Sequence, residues 1–247
     1  MKLNLLVITS LALLTGFSSC MKEDVEDAPL QGSITGKVRL ADEFGNILSD
    51  HEGVVLATTD DIKGNTNYAG SFLIYGLGDG VHTVAYSKGG FGTFKKFAIP
   101  VTNSVNTELT GIDTLGRLST TAIGSLAVVA NAGDSTYTFN CTVSPSPDAN
   151  HQRGIRLFFS RNAAVSATDY EFTPNQKWMA TQAAGSISGF AASNFYNNGF
   201  SRGETIYVIA YGESWFANMY TDPETSKKVF PNVNAASPSS VVSFVLQ

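Results

Sequence analysis

Hydrophobic residues in this chain recur with the period of a strand rather than of a helix. Beyond residue 30, short segments alternate apolar and polar positions and are cut by Gly, Asn and Asp, as in "GSITGKV", "SFLIYGLGDGVHTVAYS" and "TYTFNCTV". A period of two sends successive side chains to opposite faces of a sheet, and the 3.6-residue period of an amphipathic helix is nearly absent. The chain is therefore expected to be all-β. In the first half, strands are predicted near residues 33–40, 54–58, 71–75, 81–87, 93–100 and 106–112. Near Asp113 the turn repeats thin out and the loops lengthen. Strands are then predicted near 118–123, 125–131, 136–144, 154–159, 185–190, 205–211 and 241–246. That change divides the chain into two expected β-sandwich domains, residues 32–112 and 113–247.

Within the first half, Phe72 and Ile74 point one way and Leu73 and Tyr75 the other. A strand apolar on both faces is expected at the centre of a sheet or under a neighbour. "GLGDG" at 76–80 lacks the spacing of a phosphate-binding loop and leads into a strand rather than a helix, so a glycine-supported hairpin is expected there. The segment "GSITGKV", "DEFGN" and "TNYAGSFLIYGLGDGVHTVAYSKGGF" resembles the carboxypeptidase regulatory-like domain. The matching positions are Gly36, Val38, Gly45, Thr66, Gly70, Phe72, Ile74, Leu77, Gly80, Val84 and Gly90. Asn67 stands where that family usually has aspartate, and His82 where an aromatic is common. The resemblance spans residues 31–112 and implies a transthyretin-type β-sandwich, a module appended to secreted, transported or receptor proteins and mostly non-catalytic. The second half carries the strand number of an immunoglobulin- or fibronectin-like sandwich.

The N-terminus reads as an address. Lys2 is the only charge among the first nineteen residues, and Leu5 to Leu14 is apolar except for Thr9 and Ser10. A basic start, an apolar core and then small residues is the layout of a secretory signal. It is shorter than the roughly 20 apolar residues of a membrane span. Phe17-Ser18-Ser19-Cys20 resembles the bacterial lipobox, which implies cleavage after residue 19 and acylation of Cys20, palmitate-type chains forming the anchor. The acidic run Glu23, Asp24, Glu26 and Asp27 resembles the signal that sends lipoproteins of Bacteroidota-type bacteria to the outer face of the outer membrane. Residues 1–19 are thus expected to be a lipoprotein signal peptide and residues 20–31 an acidic tether. The alternative for the run is a solvated spacer, since like charges beside Pro29 cannot collapse onto a core.

Removing residues 1–19 takes away Lys2, so the net charge of −5 becomes −6. A mildly acidic chain with scattered lysines has no basic footprint for nucleic acid. With Cys20 acylated, Cys141 is left without a disulfide partner, and the alternation around it places it on a buried strand face. No cysteine pair is available for zinc, and no cofactor or metal is expected. His51, His82 and His151 lie in loop or sheet contexts without a catalytic signature. The oxygen-rich run Asp60, Asp61, Asn65 and Asn67 is interrupted by Lys63 and is expected to be a polar loop. No acid/base set is visible, and the chain is expected not to be an enzyme.

Aromatic residues in inferred loops offer a different chemistry. Trp178, Phe195, Tyr196, Trp215 and Tyr220 are candidate glycan-stacking rings, with Asn194, Asn197 and Asn198 as hydrogen-bond partners. The same rings could instead pin long loops to the core, because large aromatics bury area efficiently. Asp113-Thr114-Leu115 and Asp134-Ser135-Thr136 resemble a short bacterial O-glycosylation motif, which would make Thr114 and Ser135 acceptors.

The expected function is a non-catalytic, lipid-anchored cell-surface binding or assembly module, partnered by the membrane through its anchor and by a glycan or another surface protein. The alternatives are a glycan-binding accessory for polysaccharide uptake and an adhesin or pilus-type subunit. Stable anchoring requires more than one acyl chain, each buried methylene contributing about 0.8 kcal/mol. Cys20→Ala is accordingly expected to abolish membrane retention. Fractionation after a high-salt wash checks this, and an alanine variant still in the membrane pellet would overturn the anchor assignment.

Overall fold

The computed structural model describes residues 31–102, 104–131, 133–179 and 182–247. The expected signal peptide, Cys20 and the acidic run of the tether lie outside the described residues. No helix among the described residues is long and apolar enough to cross a membrane. The fold is all-β, with several small sheets packed as sandwich-like domains.

The first half contains β1 (Gly32–Ala41), β2 (Val55–Thr58), β3 (Lys63–Asn65), β4 (Ser71–Leu77), β5 (Gly80–Ser87), β6 (Phe94–Val101) and β7 (Asn106–Gly116). One sheet has the order β4-β1-β7 and the other β3-β2-β5-β6. β1 runs antiparallel to β4 and parallel to β7. Their inward residues form one core, including Ile34, Val38, Leu56, Phe72, Ile74, Val84, Tyr86 and Leu115. At its margin the Tyr86 hydroxyl donates to Asp113 at 3.0 Å, and the half-buried Lys96 Nζ reaches both Asp113 oxygens at 3.1 and 3.0 Å. Burial, reinforced by the Asp113 charge, pushes the Tyr86 hydroxyl well above its ordinary pKa.

Two local expectations are corrected here. β4 is not a covered central strand: it ends its sheet, and Leu73 and Tyr75 are 53% and 64% exposed. Apolar residues on both faces did not require two packed faces, because a strand at a sheet margin tolerates single exposed rings. "GLGDG" does not close a hairpin either, since β4 and β5 belong to different sheets and the segment carries the chain from one layer to the other. Gly76 and Gly80 supply the positive φ of that corner, +90° and +145°. His82 is buried in the sheet, with Nε2 3.0 Å from the Gly78 carbonyl oxygen.

The second half contains β8 (Ala122–Asn131), β9 (Thr136–Ser144), β10 (Arg153–Ser160), β11 (Lys177–Met179), β12 (Ala184–Ala191), α1 (Ala192–Tyr196), β13 (Thr205–Glu213), β14 (Tyr220–Thr221), β15 (Lys228–Val229) and β16 (Val242–Val245). A sheet ordered β12-β9-β8 faces another ordered β11-β10-β13-β16, and β14 and β15 form a small ribbon. The two strands expected at 118–123 and 125–131 are one strand with a register shift between Ile123 and Ser125. Residues 118–121 are not in a strand, because their polar groups bond across the chain: Ser119 N–H donates to Asn232 O, and Thr120 N–H to the Glu43 carboxylate.

The main core of this half is rich in aromatics, with Tyr137, Phe139, Phe159, Phe195 and Phe244 in mutual contact. Cys141 is buried and free, and burial pushes its thiol up to about 11, as suits an inert core residue. A second cluster gathers around Phe158 and Tyr211. Beside it Arg156 Nε donates to both Glu213 oxygens at 2.8 Å, and Arg156 Nη1 donates to the Pro174 carbonyl at 2.9 Å. The guanidinium also sits 4.1 Å from the Phe230 ring centre. Burial pushes the Glu213 carboxyl up, and Arg156 pulls it back.

Removing one partner of a buried ion pair leaves an uncompensated charge, at a cost of about 3–5 kcal/mol. Arg156→Met is expected to lower stability by about that amount. Arg156→Met combined with Glu213→Leu should recover much of it. Denaturant unfolding of the two variants beside the parent checks both outcomes.

Candidate functional site: a tryptophan cleft at the junction

Two of the five candidate rings are brought together. The centroids of Trp178 and Trp215 lie 5.0 Å apart, with planes inclined at 39°. They line a cleft of about 260 Å³ with Phe44, Ala149, Asn150 and Gln152. Phe44 comes from the loop after β1, whereas the other five belong to the second half. None of the six lining residues is charged.

Each wall has a local cause. Trp178 is in strand β11, not in a loop, and pairs with Gly154 of β10. A Cβ on Gly154 would come within 3.1 Å of the Trp178 ring and 2.3 Å of the Glu213 carbonyl, so only glycine leaves the indole this place. Glu213 pairs with Gly154 on its other side, and Trp215 follows two residues beyond it. Gln176 Nε2 donates to the Ser214 carbonyl at 2.9 Å, holding the turn into Trp215. The Trp215 N–H donates to the Glu43 carbonyl at 2.9 Å, and the ring lies over Gly45, where an added Cβ would approach within 2.7 Å. Gly45 has φ +96°, a conformation an L side chain rarely adopts.

The loop beneath is itself tied. Asp42 Oδ1 accepts from the N–H groups of Phe44 and Asn46, both at 2.9 Å. The His151 and Phe44 rings meet edge to face, centroids 4.6 Å apart, and the Arg153 guanidinium lies 5.0 Å from the centre of the Phe44 ring. On the opposite wall Asp148 accepts from the N–H groups of Asn150 and His151, 2.8 and 2.9 Å, and its oxygens lie 3.0 and 2.9 Å from His151 Nδ1. The His151 side chain and these N–H groups hold the Asp148 carboxyl below its usual range.

The remaining candidates lie elsewhere. Phe195 is not offered to solvent: it is fully buried, because α1 turns it into the core against Phe159, Phe172 and Phe244. Tyr196 is partly exposed, but its hydroxyl donates to the backbone of Gln247, beside the opposite end of the sheet. Tyr220, in the short strand β14, packs 5.9 Å from Phe97 of β6 and is half-buried. Asn194 and Asn198 bond to each other near α1 and do not meet the tryptophans. Thr114 is half-buried in β7, where its hydroxyl accepts from Arg39 at 3.4 Å. Ser135 is exposed in the turn between β8 and β9 with φ +51°.

Sequence reasoning missed Phe44, Asn150 and Gln152. The glycine of "DEFGN" was the one signal pointing at this loop, since a positive φ marks a place where the backbone is approached closely. Among the described residues no group of three or more His, Cys, Asp and Glu is placed to hold a metal ion. Asp61 pairs with Lys63 at 2.8 Å, Asn67 accepts from the Ser71 N–H, and Asp60 lies 3.7 Å from His82 Nδ1, so the oxygen-rich run is dispersed among separate partners. A larger open groove of about 760 Å³ lies between the 160–173 segment and Lys227, and its lining is charged: Lys227 faces Asp169 at 3.7 Å, Arg161 holds Glu171, and Lys228 adds a further cation.

No protein-family model and no curated protein matches the chain. Among solved structures, it is similar to a candidate carbohydrate-binding protein from Bacteroides uniformis, at 13% identity, covering 89% of this chain and 100% of that one, with a TM-score of 0.34. A DUF3823 family protein from Parabacteroides merdae shows 12% identity over 88% of this chain and 100% of its own, with a TM-score of 0.31. The major pilin SpaD from Corynebacterium diphtheriae shows 12% identity over 87% of this chain and 65% of its own, with a TM-score of 0.25. At this depth neither a fold family nor a ligand passes from those proteins to this chain.

Proposed function

We propose that the chain is a non-catalytic, lipid-anchored surface module that binds a neutral saccharide ring in the tryptophan cleft. On this reading residues 1–19 are the signal peptide, Cys20 carries the anchor and residues 20–31 form the tether to the outer membrane. A transthyretin-type sandwich (32–112) and an immunoglobulin- or fibronectin-like sandwich (113–247) then build the site. The three-stranded sheet β12-β9-β8 facing the four-stranded β11-β10-β13-β16 supports the second assignment.

The observation that carries the reading is the tryptophan pair itself. Trp215 is 51% exposed although it touches Trp178 and Gly45. Sugar rings present apolar C–H faces to an indole and hydroxyls at their edges, and Asn150 and Gln152 supply amide donors and acceptors at the rim. A lining without charge matches neutral sugars and gives acidic ones no partner for a desolvated carboxylate. The cleft lies below the roughly 300–1,000 Å³ usual for small-molecule sites, which suits one ring or one unit of a longer chain lying across it. The assembly reading has less behind it: Val242–Val245 is already paired with β13, so this terminal strand is not free to be donated to another subunit.

Trp178→Ala and Trp215→Ala are each expected to remove binding to neutral glycans on an array and in solution titration. For Trp215→Ala, with half the ring in water, the stability loss should fall below the roughly 3–5 kcal/mol of a buried large aromatic. A Trp215→Ala protein that keeps parental glycan binding, or a parent that binds no neutral glycan, overturns the assignment.

A further inference from the structure

We propose that Glu43 is a positioning residue that assembles the tryptophan cleft across the two halves of the chain. This rests on the saccharide reading for its purpose but not for its geometry. Glu43 is the point where one side chain and its own carbonyl reach three separate parts of the second half. Its Oε2 accepts from the Thr120 N–H at 2.7 Å and its Oε1 from the Thr120 hydroxyl at 2.6 Å. Oε1 also accepts from Arg153 Nη1 at 3.2 Å, and the Glu43 carbonyl accepts from the Trp215 N–H. The Glu43 and Arg153 side chains are only 12% and 8% exposed, so this is a largely desolvated pair rather than a surface contact.

Glu43 touches neither indole ring by its side chain, yet it lies between the groups that do. Phe44 follows it and forms one wall of the cleft, and Gly45 carries the face of Trp215. Arg153, which Glu43 holds, begins the strand whose next residue, Gly154, pairs with Trp178. Releasing the carboxylate therefore frees Arg153 and removes the loop's side-chain anchor to Thr120, leaving the 42–46 loop tied within itself by Asp42 but less firmly set against the two indoles. The cleft is a composite site: its rings come from the second half, and their spacing is set from the first.

Trp178 and Trp215 are the only tryptophans of the chain. Tryptophan emission therefore reads this cleft, and the part of the aromatic circular dichroism that Trp215→Phe removes is the signal of the indole pair. The experiment compares the full chain with Glu43→Ala, Glu43→Gln and, as a reference for an uncoupled indole, Trp215→Phe. Glu43→Ala is expected to unfold cooperatively, to lose the indole couplet to the level of Trp215→Phe, and to bind a neutral glycan identified with the parent roughly tenfold or more weakly. All the Glu43 variants keep the backbone contact to Trp215; Glu43→Gln, which alone among them keeps a side-chain oxygen at full reach of Thr120, is expected to retain most of the couplet.

A Glu43→Ala protein with the parental couplet overturns the proposal, as does equal loss of the couplet in the Gln variant. If Glu43→Ala does not fold, Glu43→Asp decides by the same couplet: its charge is kept but its reach is one methylene short, so a parental couplet in that variant also overturns the proposal. Should the parent bind no neutral glycan, the saccharide reading fails while the couplet still tests Glu43.

Discussion

Between Gly116, where β7 ends, and Ala122, where β8 begins, the backbone bonds to both halves: the Arg117 and Leu118 N–H groups donate to the Ala41 and Gly90 carbonyls, both at 3.0 Å, and side chains of the second half meet most of the rest. Asn232 Nδ2 donates to the carbonyls of Gly116 and Arg117 at 2.8 and 3.0 Å. Asn218 Oδ1 accepts from the Gly116 N–H, Ser214 Oγ donates to the Arg117 carbonyl, and Asn234 Nδ2 donates to the Thr121 carbonyl. Ser119, Thr121 and Asn232 are buried, so these bonds replace water that cannot reach them. Each is worth about 0.5–1.5 kcal/mol when made, and a buried group left unpaired costs about 1–3 kcal/mol. The connection thus behaves as a structural element rather than a linker. It supports the direct contacts between the loop at 42–46 and the residues around 151–153.

The rigidity continues into the second sandwich. Glu213 ends β13 with its carboxylate locked on Arg156, and Ser214, next in line, bonds to Arg117 through its hydroxyl and to Gln176 through its carbonyl. Trp215 is therefore the first residue of this segment with substantial exposure, after two residues that are almost completely buried. A buried ion pair adds little net stability over a well-packed apolar pair, but it fixes a strand end in one position. Here that strand end aims the residue that follows. The indole inherits its orientation from a core interaction on one side and from the Glu43 carbonyl on the other.

Much of the strand pattern was legible because alternation is a local property. β1, β5, β9, β10 and β13 lie where the period of two put them, each within a few residues. What alternation cannot report is which edge a strand pairs with. Leu73 and Tyr75 were consistent with a covered strand, yet they stand exposed because β4 ends its sheet. Phe195 was legible only as a ring in an asparagine-rich stretch. Its place in the core follows from Phe159, Phe172 and Phe244, none of them its neighbour in sequence. The cleft shows the same limit more sharply. Trp178 and Trp215 were candidates from their type, but their pairing depends on Gly154, and the third wall is Phe44 from the other half of the chain.

The indoles are not needed to close either core. In the second half Phe139, Phe159, Phe190, Phe195 and Phe244 already fill the space between the sheets with edge-on and tilted contacts centred 5.0–6.0 Å apart. Trp178 and Trp215 sit outside that network and touch one another rather than those rings. A half-exposed indole leaves apolar surface in water, worth about 25 cal/mol for every Å² that a later contact covers. Folding alone has left that gain unclaimed, although the surrounding hydrogen bonds hold the rings in place. A ligand that covers them meets surface already ordered, and so loses little of the association free energy to arranging its own site. That combination of ordered rings, uncovered area and an uncharged lining distinguishes this cleft from the larger groove near Lys227, whose lining is charged.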